Sequence, residues 1–135
     1  MIKIEDLIKI KLGKKERVYK TINVPELGGT VKVLVPTTEE LEDIVDIEIK
    51  NKDGKVDKEK TTREKSKKLI YYQVVEPKLS DERLISHHNC KDSPEDVVFK
   101  IMSSETVESL ATAILALFDK ETIKYKVRVV EEVKN

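Results

Sequence analysis

The stretch Leu69–Ile85, LIYYQVVEPKLSDERLI, decides how this chain is read. Six of its first seven residues are apolar or aromatic, and the run stops at a Glu-Pro pair. Upstream lies a polar segment with helix-forming composition, so the chain is expected to be helical from about Thr62. Leu69, Ile70, Tyr71, Tyr72, Val74 and Val75 then make the last turns apolar nearly all round, and such a helix is buried on several sides. Pro77 disfavours helical geometry at Glu76, which places the expected end of the helix there.

Outward toward the N-terminus, residues 50–68, KNKDGKVDKEKTTREKSKK, are almost wholly polar. Asp53, Asp57, Glu59 and Glu64 interrupt the basic residues, and no aromatic is interleaved for base stacking. The segment reads as a solvated loop running into the exposed first turns of the next helix. Before it, TTEELEDIVDI begins a helix capped by Thr37 or Thr38, with Glu39 and Glu40 in the positive first turn. Leu41, Ile44, Val45 and Ile49 would line its apolar face. Further upstream, Val18, Ile22 and Val24 precede a turn at 25–29, and Val31, Val33 and Val35 alternate after it. Gly28-Gly29 permits the positive φ angles of a hairpin turn. A hairpin alone is marginal in water, so this one must pack on something else. Residues 3–12, KIEDLIKIKL, fit a short helix leading into extended chain.

On the other side, LSDERLISHH reads as a short helix capped by Ser80 or Asp81. DSPEDVVFKIM has Ser93 as cap and Pro94 at the first helical position, with Val97, Val98 and Ile101 as a face. The clearest helix is SSETVESLATAILALFDK, capped by Ser103 or Ser104. In it Val107, Leu110, Ala111, Ile114, Leu115 and Phe118 recur at three- and four-residue steps. The tail ETIKYKVRVVEEVKN alternates like a strand at Ile123, Tyr125, Val127 and Val129, and fits a helix at Ile123, Val127 and Val130; the helix is slightly favoured. The expected fold is α+β and mainly α-helical: an N-terminal antiparallel β-hairpin followed by a small helical bundle. One domain covers 1–135, with 1–36 as helix and hairpin, 37–118 as a helical core with a polar loop at about 50–62, and 119–135 as a C-terminal arm.

Composition narrows the function. The 135 residues are 39% hydrophobic and 39% charged, with acids and bases balanced at 26 each. A whole-chain field that would draw nucleic acid or anionic lipid is therefore absent. A single cysteine, Cys90, excludes an internal disulfide and suits a reducing cytoplasm. The first residues form a poor signal peptide, and no segment approaches the roughly 20 apolar residues of a membrane span. Two clusters resemble chemistry. His87, His88, Cys90 and Asp92 in HHNCKD offer metal or Cys-His ligands, but no further His or Cys completes a site, and the segment reads as an interhelical turn with a small thiol. Glu39, Asp43 and Asp46 lie opposite an apolar stripe, where a solvated helix keeps its charges. No cofactor and no catalytic residue are assigned, and the chain is not expected to be an enzyme.

The order of segments resembles the tail assembly chaperones of long-tailed phages and prophages, of the XkdN-like type. Val75, Pro77, Leu79, Asp81 and Leu84 reproduce that family's helix-ending turn, V-x-P-x-L-x-D/x-x-L. Residues 91–101, KDSPEDVVFKI, approach its next stretch, K-D-P-x-x-V-V-x-K-Ψ, with an extra Ser93 before Pro94. The resemblance runs from about residue 5 to the end and rests on structural signatures. It implies a non-enzymatic cytoplasmic factor of the bacterial host cell, absent from the mature virion, that binds the tape-measure protein and keeps it soluble during tail-tube assembly. It also implies a frameshifted longer form as a partner, and Lys134-Asn135 is what a slippery codon run would encode; self-association is a further expectation, and nucleic acid and membrane are not expected partners. The alternative is a structural or adaptor component retained in the phage tail. A nucleic-acid-binding regulator would need a basic recognition helix, and residues 105–118 contain no base.

A holdase for a helical client needs apolar grooves or exposed helix faces and a charged surface elsewhere. The candidate contact residues are Tyr71, Tyr72, Leu110, Ile114, Leu115, Phe118, Tyr125 and Val129, taken from the double-tyrosine region, the 105–118 helix and the C-terminal arm.

Overall fold

The computed structural model describes residues 1–11, 16–125, 127, 129 and 130. The chain is α+β and mainly helical, as expected. In order it forms α1 (Ile4–Lys9), β1 (Tyr19–Val24), β2 (Gly29–Leu34), α2 (Thr38–Val45), α3 (Lys58–Gln73), β3 (Val74–Glu76), α4 (Glu82–His87), α5 (Val97–Ile101) and α6 (Ser104–Thr122). Short 3₁₀ turns occur at Pro25–Leu27, Pro94–Asp96 and Ile123–Tyr125.

The hairpin forms where the alternation places it. β1 and β2 pair antiparallel, with Ile22 opposite Val31 and Val24 opposite Gly29. Gly28, at φ 78°, ends the 3₁₀ turn between them in the left-handed region that favours glycine. Val31 and Val33 are buried, and the alternate residues Lys32 and Leu34 are half-buried.

The decisive stretch departs from expectation. The helix begins at Lys58, capped by the Asp57 carboxylate, which accepts from the Lys60 N–H at 3.1 Å. It ends at Gln73, and Val74–Glu76 becomes a strand that pairs antiparallel with β2, Val74 opposite Val33 and Lys32 opposite Glu76. The sheet order is therefore β1-β2-β3, with β2 central. The adjacent β-branched residues Val74 and Val75 suit extended backbone. The free edge of β2 offers strand partners that a last helical turn would leave unused.

Smaller corrections have similar causes. α2 ends at Val45, which is 64% exposed, so neither Val45 nor Ile49 joins its buried face. Ile49 is held instead by Thr61, whose hydroxyl accepts from the Ile49 N–H at 2.9 Å. Thr37 caps α2 in a reciprocal box with Glu40, Asp81 caps α4, and Ser103 caps α6. Ser93 makes no side-chain cap, and the Pro94 turn is 3₁₀ before α5 begins. α6 runs on to Thr122, while residues 127, 129 and 130 are in neither helix nor strand; Leu12 and the remainder of the tail lie outside the described residues.

One apolar cluster joins the layers. Val24, Val31 and Val33 from the sheet meet Leu69 and Ile70 of α3, Val97 and Val98 of α5, and Val107, Leu110 and Ile114 of α6. Two carboxylates tie the layers at the surface. Glu40 accepts from Arg17 below β1, from the Thr37 N–H and from the Gln73 amide of α3. Glu26, in the hairpin turn, accepts from the Ser103 N–H and from the hydroxyls of Ser103 and Thr106 at the start of α6.

These bonds, the Ser103 hydroxyl foremost and then Thr106, hold the Glu26 carboxyl below its ordinary pKa. A carboxyl lowered by folding stabilises the folded state above its unfolded pKa, and loses that contribution as pH falls through the folded value. Glu26→Gln should therefore lower the melting temperature at pH 7, and the gap to the unsubstituted protein should close below about pH 4. Thermal unfolding followed by circular dichroism across that range is the check; a gap that persists in acid would show that charge has no part in the latch.

Candidate protein-binding surface

The structure separates the candidate contact residues into core and surface. Leu110 and Ile114 are 3% and 0% exposed and belong to the apolar cluster, so they are corrected to core residues. They lie on the face of α6 turned toward α3 and the sheet, and helical periodicity alone identifies that face without saying how wide it is. Leu115, one position further round, is 44% exposed. Phe118 is half-buried, and it lines two adjacent depressions. One, of about 390 Å³, runs past Arg17, Pro36, Thr37 and Tyr125; the other, of about 510 Å³, is formed with Leu41, Glu42 and Val45 of α2 and with Asp46, which caps it.

Beyond α6 the apolar residues turn outward. Ile123 and Tyr125 are a little over half exposed, and Val127, Val129 and Val130 are 97%, 91% and 88% exposed. Leu115, Phe118, Tyr125 and Val129 thus belong to the C-terminal end of α6 and the chain that leaves it. The sequence marks the C-terminal arm as a contact surface through Tyr125 and Val129, and the structure adds the exposed Ile123, Val127 and Val130 of the same arm.

Tyr71 and Tyr72 sit elsewhere. Tyr71 is half-buried against the core, and Tyr72 is exposed, its ring edge-on to Tyr71 at 5.1 Å. The Tyr72 hydroxyl donates to Glu95 Oε1 at 2.7 Å, which pushes the phenol pKa up to about 12, with burial adding to the effect. Glu95 also faces Lys68 at 3.6 Å. The pair therefore fastens α3 to the turn before α5, and Tyr72 is less free to meet a partner than its exposure implies.

The clusters that resembled chemistry are held structurally. His87 ends α4 and His88 caps it, their rings edge-to-face at 4.9 Å. Cys90 is buried, and its thiol donates to the His88 carbonyl at 3.3 Å. Among the described residues no group of three or more His, Cys, Asp and Glu is placed to hold a metal. Glu39 and Asp43 on α2 and Asp46 at its C-terminal cap are exposed. Lys67, deep in α3, loses hydration but bonds Asp96 at 2.7 Å and Glu64 at 2.8 Å, and the carboxylates outweigh the burial, raising its pKa. No single helix among the described residues is long and apolar enough to cross a membrane.

A third apolar surface was not foreseen. Ile2, Ile4, Leu7, Ile8 and Ile10 are all between 51% and 77% exposed, and α1 buries none of its residues. Its helical spacing was legible, but the lack of any covering element was not. No family model, curated protein or solved structure matches the chain.

Two measurements test this partition. Ile114→Ala should cost about 2–5 kcal/mol in urea unfolding, whereas Leu115→Ala should stay within roughly 0.5 kcal/mol; equal losses would return Leu115 to the core. In an absorbance titration Tyr72 should ionise near pH 12, and Glu95→Gln should move that step down toward the ordinary tyrosine range; an unmoved step would remove Glu95 as its cause.

Proposed function

We propose that this protein is a non-enzymatic tail assembly chaperone, of a phage or prophage, that holds the tape-measure protein soluble while tail-tube subunits assemble around it. The observation that carries the reading is the apolar stretch at the end of α6. Leu115, Ile123 and Tyr125 lead into Val127, Val129 and Val130, all exposed, on a chain of which 39% of the residues are charged. A client that is long and helical presents apolar side chains at three- and four-residue steps, and an exposed row of valines and leucines matches such a stripe without bonding to any one sequence. The high charge elsewhere keeps the loaded chaperone dispersed. The resemblance in segment order supplies the client, and places the work in the cytoplasm of the host with the protein absent from the finished virion.

Co-expression with the tape-measure protein, followed by affinity capture, tests the proposal. The client should become soluble and co-purify, and Leu115→Glu combined with Val129→Glu should cut capture at least tenfold with the melting temperature unchanged. A client that stays insoluble beside a folded partner would overturn the reading, and detection of this protein in purified virions would favour a retained tail component instead.

A further inference from the structure

The N-terminal segment poses a physical problem of its own. Isolated helices shorter than about 12–15 residues are marginal in water, yet α1 has six residues and buries none of them. Ile4, Leu7 and Ile8 stand at i, i+3 and i+4, which puts them on one face, and Ile2 and Ile10 extend it; all are more than half exposed. A stripe of this kind is stable as a helix when another surface covers it.

We propose that residues 1–11 of one copy dock in the groove between α2 and Phe118 of a second copy, reciprocally, to form a two-fold dimer. Three observations select this occupant. The groove is lined by the apolar Leu41, Val45 and Phe118 and by the acidic Glu42 and Asp46. Neither of these carboxylates takes part in an ion pair among the described residues. The arm is complementary: Lys3, Lys9 and Lys11 outnumber its two acids, Glu5 and Asp6, and Lys9 and Lys11 flank Ile10 at the end of its apolar stripe.

The third observation is where the arm is rooted. Glu16 and Arg17 line the depression that shares Thr38 and Phe118 with the groove. Arg17 is clamped there by Glu40 of α2. Each arm thus starts beside its own groove while lying outside it with its stripe exposed, and two copies facing each other can exchange arms across a two-fold axis. The zero net charge of the chain leaves no overall repulsion to oppose the approach. Two arms and two grooves double every contact in a reciprocal pair.

The test uses the full chain without client, so its outcome is independent of the chaperone reading. Sedimentation equilibrium at micromolar concentration should give the dimer mass. Ile4→Asp with Ile8→Asp, and separately Val45→Asp, should each give monomers that keep the folded circular-dichroism spectrum, since all three positions are exposed, with a melting temperature that no longer rises with protein concentration. Lys9→Glu with Lys11→Glu, or Glu42→Lys with Asp46→Lys, should weaken the dimer about tenfold, and the two sets combined should restore it. An Ile8→Cys/Val45→Cys chain should oxidise to a covalent dimer, Cys90 being buried. A monomer at every concentration, a dimer indifferent to these changes, or a disulfide formed only within one chain would overturn the proposal.

Discussion

The pairing of Val74–Glu76 with β2 is the constraint on which the remaining architecture rests. It converts a hairpin that would be marginal alone into a three-stranded sheet. It also fixes the C-terminal end of α3 directly onto that sheet, because no loop intervenes between Gln73 and Val74. With α3 anchored in this way its buried residues Leu69 and Ile70 point into the space between sheet and helices, and α5 and α6 close that space from the other side. The following Glu76-Pro77 step sends the chain away toward α4, so the strand stays three residues long.

Two carboxylates reinforce the same joint at different points. Glu40 gathers Arg17, Thr37 and Gln73, which come from the base of the hairpin, the cap of α2 and the last turn of α3. Partial burial would raise its pKa, but the donors around it more than compensate and the net shift is downward. Glu26 does the corresponding work at the other end of the hairpin, where it receives donors from the opening turn of α6. A carboxylate at a helix N-terminus meets unpaired N–H groups and the positive end of the dipole. Both clamps therefore rest on hydrogen bonds to ionised oxygen more than on exposed ion pairs, which contribute little by themselves.

A consequence of this economy is that the described core closes between β1 and α6. The apolar cluster draws on β1 through α6, and among the described residues neither α1 nor Val127, Val129 and Val130 contributes to it. Both ends carry large aliphatic side chains into solvent. The proposed client contact and the proposed arm exchange occupy these two ends, with Phe118 at the border between them, and each leaves the folded body intact.

The sequence by itself determined the local elements: the hairpin from the alternating valines, α6 from its apolar period, and each of three caps to a pair of neighbouring residues, from which the structure selects Thr37, Asp81 and Ser103. It also marked Leu115, Phe118, Tyr125 and Val129 as apolar residues near the end of that helix. What it left undecided was non-local. Val74 and Val75 are as compatible with a last helical turn as with a strand, and only the open edge of β2, some forty residues earlier in the chain, selects the strand. Leu110, Ile114 and Leu115 follow one periodic pattern, and only the position of α3 and the sheet buries the first two while leaving the third at the surface. Periodicity reports which side chains share a face; whether anything covers that face depends on chain segments far away in sequence, and that is settled by the tertiary structure.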